Sequence, residues 1–241
     1  MKLAIQTFSL RAFPPLEAIK MVAELGVKYI EPHWPHAEVT DEVIAAIADA
    51  GLTSVAYGVP TVQLNWMETK ASMQCAQRLG VPVVNVDVES GAWPLLHRCA
   101  LDFGLKLAIH PHGPGHRYSG WRSVWEMVYV GSPVGICYDT GHIARAGDDV
   151  LAGVYAMPMD TILSFHLKDV DDEGRDVPVG MGVLPLRPIF HKLRESQWAG
   201  PMVLEWEGSE RDPMPGLRIG VEFVQDALNM VSAEQEGMDL L

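Results

Sequence analysis

The sequence predicts one closed barrel of eight parallel strands, each followed by a helix: a single (β/α)8 fold. Three observations carry the prediction. The chain has 241 residues, close to the roughly 250 of one such barrel. A helix–Gly–strand unit recurs at a period that suits one βα module. No linker or change of composition marks an internal boundary, so residues 1–241 read as one domain.

The elements follow in order. LAIQTF (3–8) opens the chain as the first strand. The repeat then appears as ELGVKYIEPH (24–33), DAGLTSVAYG (49–58), RLGVPVVNVDVE (78–89) and DFGLKLAIHPH (102–112). Its glycines, Gly26, Gly51, Gly80 and Gly104, are spaced by 25, 29 and 24 residues. A glycine just past a helix takes the left-handed conformation that closes it. The apolar run after it is short, rich in Val and Ile, and lacks polar alternation, as a strand buried on both faces requires. VGICYD (134–139), ILSFHLKD (162–169) and PMVLEWE (201–207) complete the eight strands.

Helices are predicted over 14–25, 40–50 with Thr40 as N-cap, 65–79, 93–103, 121–130, 148–157, 185–195 and 215–231. The fourth βα unit is shortened: only about a dozen residues separate Glu89 from the next strand, which leaves room for a short or irregular helix. The last eight or so residues of the polar tail SAEQEGMDLL are expected to fray. The rival architecture is an open doubly wound sheet. Its usual nucleotide signatures are absent, since no Gly-x-Gly-x-x-Gly follows the first strand and no phosphate loop of the Gly-x-x-x-x-Gly-Lys type occurs.

Composition narrows the function. Hydrophobic residues at 48% and charged residues at 20% fit a globular chain with a large core. The 18 Lys and Arg against 31 Asp and Glu give a net charge of −13, which repels phosphate backbones and anionic headgroups. Neither nucleic acid nor membrane is therefore expected as a partner. Cys75, Cys99 and Cys137 form no disulfide framework and read as core thiols of a reducing compartment. The start MKLAIQTFSLRAF lacks the apolar stretch of a signal peptide, and no window nears about 18 unbroken apolar residues. A cytoplasmic location is the expectation.

Polar residues gather where a parallel barrel builds its site, at the C-terminal strand ends. The strands exit on Gln6, Glu31 with His33, Tyr57, Asp87 with Glu89, His110 with His112, Asp139 with His142, His166 with Lys168 and Asp169, and Glu205 with Glu207. Residues two apart share a strand face, so His110 with His112, His166 with Lys168, and Glu205 with Glu207 can point inward together. Carboxylates converging without a matching number of Lys and Arg would repel or take up protons, and a divalent cation resolves that. His and carboxylate ligands suit Mn2+, Co2+, Fe2+ or Zn2+ without choosing among them.

Taken singly, these residues have plainer readings. Asp-Thr-Gly-His (139–142) is also a turn with an Asx hydrogen bond, and His-Leu-Lys-Asp (166–169) a strand end with an exposed ion pair. His97 and His191 fall within predicted helices and carry no functional case. Most of the tryptophans are packing, with one or two left to wall a sugar pocket. The concurrence of imidazoles and carboxylates at the ends of strands five to eight is what independent caps do not explain.

CYDTGH, FHLKDVD, GRDVPVGMG and VLEWEG, within residues 137–208, resemble the xylose isomerase-like TIM barrels of the sugar phosphate isomerase/epimerase superfamily. LAIQTFSLR, GVKYIEPH and LAIHPHGP fit the same pattern, so the resemblance spans the chain. It implies one divalent metal ion (Mn2+, Co2+, Fe2+, Mg2+ or Zn2+) held by residues from strands five to eight. Asp139, His166 and Glu205 match three ligands by motif. The chain departs from the family at strand five, where His110 stands in place of the usual Glu; this defines a branch with a His ligand there. His142 matches a residue facing substrate hydroxyls, and Lys168 a common substrate contact. His33, Trp34, Glu31, Tyr57 and Arg175 are the further candidates for substrate binding.

The function expected is divalent-metal-dependent isomerisation or epimerisation of a keto-sugar or hydroxy-ketone through an enediolate, with Glu205 as base and His110, His112 or His142 moving a second proton. Without the second Glu of a symmetric base pair, a lyase that dehydrates a keto-sugar at the same site is the alternative. Two further readings are a non-catalytic barrel binding a sugar or a partner, and an endonuclease IV-like phosphodiesterase. The last is opposed by the charge and by the lack of any His between His166 and His191. The expected partner is a small carbohydrate. Self-association is left open, since family relatives often form dimers or tetramers.

Overall fold

The computed structural model describes residues 1–238, with side chains through Met230; of the last eight or so residues expected to fray, 234–238 continue the final helix and 239–241 lie outside the described residues. Strands β1 (Lys2–Gln6), β2 (Tyr29–Glu31), β3 (Thr53–Ser54), β4 (Tyr57–Val62), β5 (Val83–Val88), β6 (Lys106–Ile109), β7 (Val134–Asp139) and β8 (Ile162–Leu167) appear in chain order. A small antiparallel pair, β9 (Asp169–Val170) and β10 (Asp176–Val177), and a last barrel strand, β11 (Pro201–Leu204), follow. Every pairing in the main sheet is parallel, and its order is β3-β2-β1-β11-β8-β7-β6-β5-β4.

The two ends of that sheet, β3 and β4, are halves of one stave interrupted at Val55 and Ala56. The N–H of Val55 donates to the Ile30 carbonyl at 3.1 Å and that of Gly58 to the Pro32 carbonyl at 3.1 Å. The third stave therefore stays tied to the second while β4 pairs with β5, and the barrel closes with eight staves.

The helices are α1 (Pro15–Glu24), α2 (Asp41–Asp49), α3 (Trp66–Leu79), α4 (Trp93–Phe103), α5 (Gly120–Trp125), α6 (Thr140–Arg145), α7 (Val150–Ala156), α8 (Leu186–Glu195) and α9 (Met214–Met238). Thr40 caps α2 as expected, accepting from the Val43 N–H. Gly80 and Gly104 close α3 and α4 at φ +68° and +64°. The fourth unit is short because its loops are; α4 itself is a regular helix of 11 residues, not the short or irregular one expected. Two other expectations need correction. The helix foreseen over 121–130 stops at Trp125, since the aromatic and β-branched residues that follow form helix poorly. The helix α6 was not foreseen, because Thr-Gly is a poor helix start.

Strand alternation divides the core in two. Outward residues such as Ile5, Ile30, Leu107, Ile136, Phe165 and Leu204 join the helices in one large buried cluster. The barrel interior holds smaller side chains: Ala4, Val55 and Val203 in one cluster, Ala56, Val83, Ala108, Cys137 and Leu163 in another. Above that narrow apolar floor the inward residues turn polar, and the site begins there.

Candidate metal and sugar site

The lowest polar layer is wholly buried. Glu31 ends β2 with no exposure. Its Oε1 accepts from Gln6 Nε2 at 2.9 Å and its Oε2 from Asn85 Nδ2 at 2.9 Å. His166 Nε2 lies 3.1 and 3.3 Å from the same two oxygens. Ser164 Oγ donates to Asn85 Oδ1 and completes the raft. Burial alone would raise the Glu31 pKa, but the charge of His166 and the donated hydrogen bonds hold it below the usual range. Gly58 makes room for the raft, since a Cβ there would run into the Glu31 carboxylate.

The second layer lies just above. One ligating atom from each of His110, Asp139, His166 and Glu205 falls within 4.8 Å of the others, and all four residues are buried. His110 follows β6, Asp139 ends β7, His166 lies in β8 and Glu205 follows β11. His166 Nδ1 is 3.1 Å from Glu205 Oε2, yet neither atom has a hydrogen-bond partner, and His110 Nδ1 has none either. Two buried polar atoms that close without bonding are aimed past each other, as atoms directed at a common third point are.

Asp139 divides its oxygens. Oδ1 accepts from the His142 N–H at 2.7 Å and caps α6. Oδ2 faces His110 Nε2 at 3.2 Å and Lys168 Nζ at 3.4 Å. The Asx-type turn of Asp-Thr-Gly-His is thus present at Oδ1, and Oδ2 is left to face the cluster.

Lys168 is 1% exposed and binds the outer side of the cluster. Its Nζ is 3.1 Å from Glu205 Oε1 and pairs with Glu207. The exposed ion pair expected at His-Leu-Lys-Asp is instead buried. Asp169 beside it accepts from the N–H groups of Gly180 and Gly182 at 3.0 Å each, and so ties down the loop after β8. Burial opposes charge on Asp139 and Glu205, but the Lys168 ammonium beside them keeps both well below the ordinary carboxylate range. Three carboxylates, Asp139, Glu205 and Glu207, face Lys168, while Glu31 faces His166; the nearby Arg145 is paired with Asp176. The remaining negative charge is what a divalent cation neutralises. His, Asp, His and Glu donors, with His166 Nε2 anchored on a carboxylate, fit such an ion. Cys137 also approaches His110 and His166, but burial pushes its thiol up, which favours the carboxylate set.

A cavity of about 320 Å³ opens over the cluster, walled by Phe8, His33, Val59, Thr61, Asp87, His110, His112, His142, Glu205 and Glu207. A neighbouring one of about 310 Å³ shares His33, Val59 and Thr61 with it and adds Trp34 and Tyr57. Another cavity, of about 690 Å³, lies at the opposite end among Thr53, Val83, Lys106, Ile162 and Trp198. It holds none of the ligating clusters, and barrel chemistry belongs to the C-terminal face.

Most of the expected residues meet here. His110, Asp139, His166 and Glu205 form the cluster; His112 and His142 line the cavity, Lys168 braces the ligands, and His33, Trp34 and Tyr57 reach one or both cavities. Two do not. Glu31 lies beneath His166 with no exposure and lines neither cavity. Arg175 is two-thirds exposed and pairs with Asp171 and Glu173 away from the cavity. His142 sits between Lys168 Nζ at 3.2 Å and Arg145 Nη1 at 3.3 Å. Burial, reinforced by Lys168, depresses it to about 3, so it is uncharged near neutrality. Sequence reasoning missed Asn85 and Ser164, mid-strand polar residues whose inward parity with Asp87 and His166 was the available signal.

The profile of the xylose isomerase-like TIM barrel family matches residues 19–227, and the chain belongs to that family. Inosose dehydratase of Lactiplantibacillus plantarum is 29% identical over 153 residues, 54% of this chain and 50% of that one. The chain thus matches about half the length of this curated relative. Among solved structures, a xylose isomerase domain protein of Alicyclobacillus acidocaldarius superposes with a TM-score of 0.75 at 19% identity, covering 96% of this chain and 99% of that one. D-psicose 3-epimerase of Clostridium cellulolyticum, solved with D-tagatose, gives 0.72 at 15% identity, covering 95% and 99%. At these identities the structures speak for the fold.

Proposed function

We propose that the chain is a divalent-metal-dependent enzyme that enolises a keto-sugar or hydroxy-ketone and returns the proton elsewhere, as an isomerase or epimerase. One observation carries the reading: side-chain atoms of His110, Asp139, His166 and Glu205 converge beneath a cavity that His110 and Glu205 line, and Glu205 is held there as an ionised carboxylate. His110, Asp139, His166 and Glu205 would hold the ion. The ion would polarise the carbonyl and neutralise charge developing on the enediolate.

The chain's own groups do the rest. Glu205 takes the proton from the carbon next to the carbonyl. Lys168, 3.1 Å from Glu205 Oε1, keeps that carboxylate ionised and fixes its plane. Uncharged His142 presents its ring to substrate hydroxyls. Glu207, a quarter exposed and paired to Lys168, connects the base to the cavity rim. His33, with Trp34 and Tyr57 beyond it, walls the sugar.

A second reading, dehydration of a keto-sugar or keto-polyol, starts with the same step. His110 in place of a second Glu favours it, because proton return to the opposite face then lacks a carboxylate. The similarity to inosose dehydratases points the same way.

Solvent exchange tests both. Metal-loaded protein in D2O is expected to place deuterium next to the carbonyl of at least one ketose or inosose in a panel, and Glu205→Gln to abolish this. An epimer or isomer as product selects the first reading, loss of water the second. No deuterium uptake with any metal across the panel would falsify both.

A further inference from the structure

A second group of ligating side chains stands at the rim of the same cavity, outside the four just described. One atom from each of Asp87, His112 and His116 lies within 4.8 Å of the others. Asp87 comes from β5, and the two histidines from the loop after β6. That loop is closed on itself. The His112 N–H donates to the Tyr118 carbonyl at 2.8 Å, and the Gly120 N–H to the His112 carbonyl at 3.3 Å. This brings the imidazoles of His112 and His116 to 4.0 Å between ring centres, tilted at 51°. His116 Nε2 lies 3.7 Å from Asp87 Oδ1, too far for a hydrogen bond. His112 Nε2 is buried and has no hydrogen-bond partner.

We propose that Asp87, His112 and His116 bind a second divalent cation. Three protein ligands, two imidazoles and a carboxylate, are the donor set of an open site for a borderline metal such as Zn2+ or Co2+. Asp87 and His112 both line the cavity, so the free coordination positions face it. A cation there takes an anionic or hydroxyl oxygen of the substrate far from the reacting carbonyl, a role no free Lys or Arg among the cavity-lining residues fills. The His112 and His110 rings are 4.8 Å apart, which joins the two clusters into one two-metal floor. The competing arrangement is a plain His–Asp contact: His116 Nδ1 accepts the Tyr118 N–H at 3.3 Å, and Nε2 keeps its proton toward Asp87. It leaves His112 Nε2 without a partner, and ligation through Nε2 would release that long Tyr118 contact.

The site does not depend on the enolising reaction, and metal stoichiometry tests it directly. Chelator-stripped full-length protein is titrated with Co2+ and followed by calorimetry and by the visible absorption of the bound ion. Two equivalents are expected for the parent. His116→Ala and Asp87→Asn should each bind one, with circular dichroism unchanged. Asp139→Ala should also bind one, but with the absorption of the rim site. A single equivalent, lost in Asp139→Ala and kept in His116→Ala and Asp87→Asn, overturns the rim site and leaves the first standing. A single equivalent lost only in the rim variants upholds the rim site and removes the first. Two equivalents in all four proteins overturn both assignments.

Discussion

Lys168 is the residue with the most to hold. It touches Asp139, Glu205 and Glu207 while almost completely buried. Replacing it with Met leaves three carboxylates with no ammonium among them. Removing one partner of a buried pair costs about 3–5 kcal/mol. Lys168→Met should therefore lower the melting temperature of metal-free protein, and bound metal should restore part of the loss. Glu31 acts one layer down, through His166. Its carboxylate fixes which imidazole nitrogen carries the proton and leaves Nδ1 directed at Glu205 and Asp139. Partners of this kind typically change metal affinity 10–100-fold. Glu31→Gln should weaken Co2+ binding by a factor on that order in equilibrium dialysis, with the fold intact; unchanged affinity would remove Glu31 from the site.

At the scale of elements, the third stave and the β7–α6 turn matter most. Gly58, the second residue of β4, lies beside the Glu31 carboxylate. Gly58→Ala should displace that carboxylate and, through it, His166, so metal affinity and thermal stability should fall together. Asp139 shows why single motifs mislead: one oxygen caps a helix and the other faces the metal cluster. The eight staves and most helices were legible because the glycine closures and apolar runs are local signals. The site was legible as far as it depends on strand parity: His110, Asp139, His166 and Glu205 converge as the alternation requires. What was not legible depends on distance across the barrel. Glu31 looked like a lining residue, and only the third dimension puts His166 above it. Arg175 looked like a cavity group, but nearby acids in its own loop hold it outside.

At the scale of the whole molecule, the fold does not hang on a metal. A continuous apolar core surrounds the barrel, and the metal-facing carboxylates already have Lys168 and the Gln6–Asn85 raft as partners. Chelator treatment should leave the far-ultraviolet circular dichroism unchanged. Added metal should raise the melting temperature in proportion to the logarithm of its concentration above the dissociation constant. Binding should weaken as pH falls, because His166 ligates only when its metal-facing nitrogen is unprotonated and, although burial opposes its charge, the neighbouring Cys137, Glu31 and Glu205 hold its pKa above the ordinary imidazole range. Among the described residues no helix is long and apolar enough to cross a membrane.

The buried ammonium of Lys168 has a consequence for how the protein is made and kept. A barrel whose acid ring has its own internal counter-ion can be made, folded and stored empty. It acquires whichever ion is abundant when a vacancy arises, and releases it without collapsing. Under the proposed function its donors would do little to choose among transition metals, and the ion carried would be set by the host's metal supply. The same polypeptide would then turn over at different speeds in iron-rich, manganese-rich and zinc-rich growth, with no change in sequence or expression.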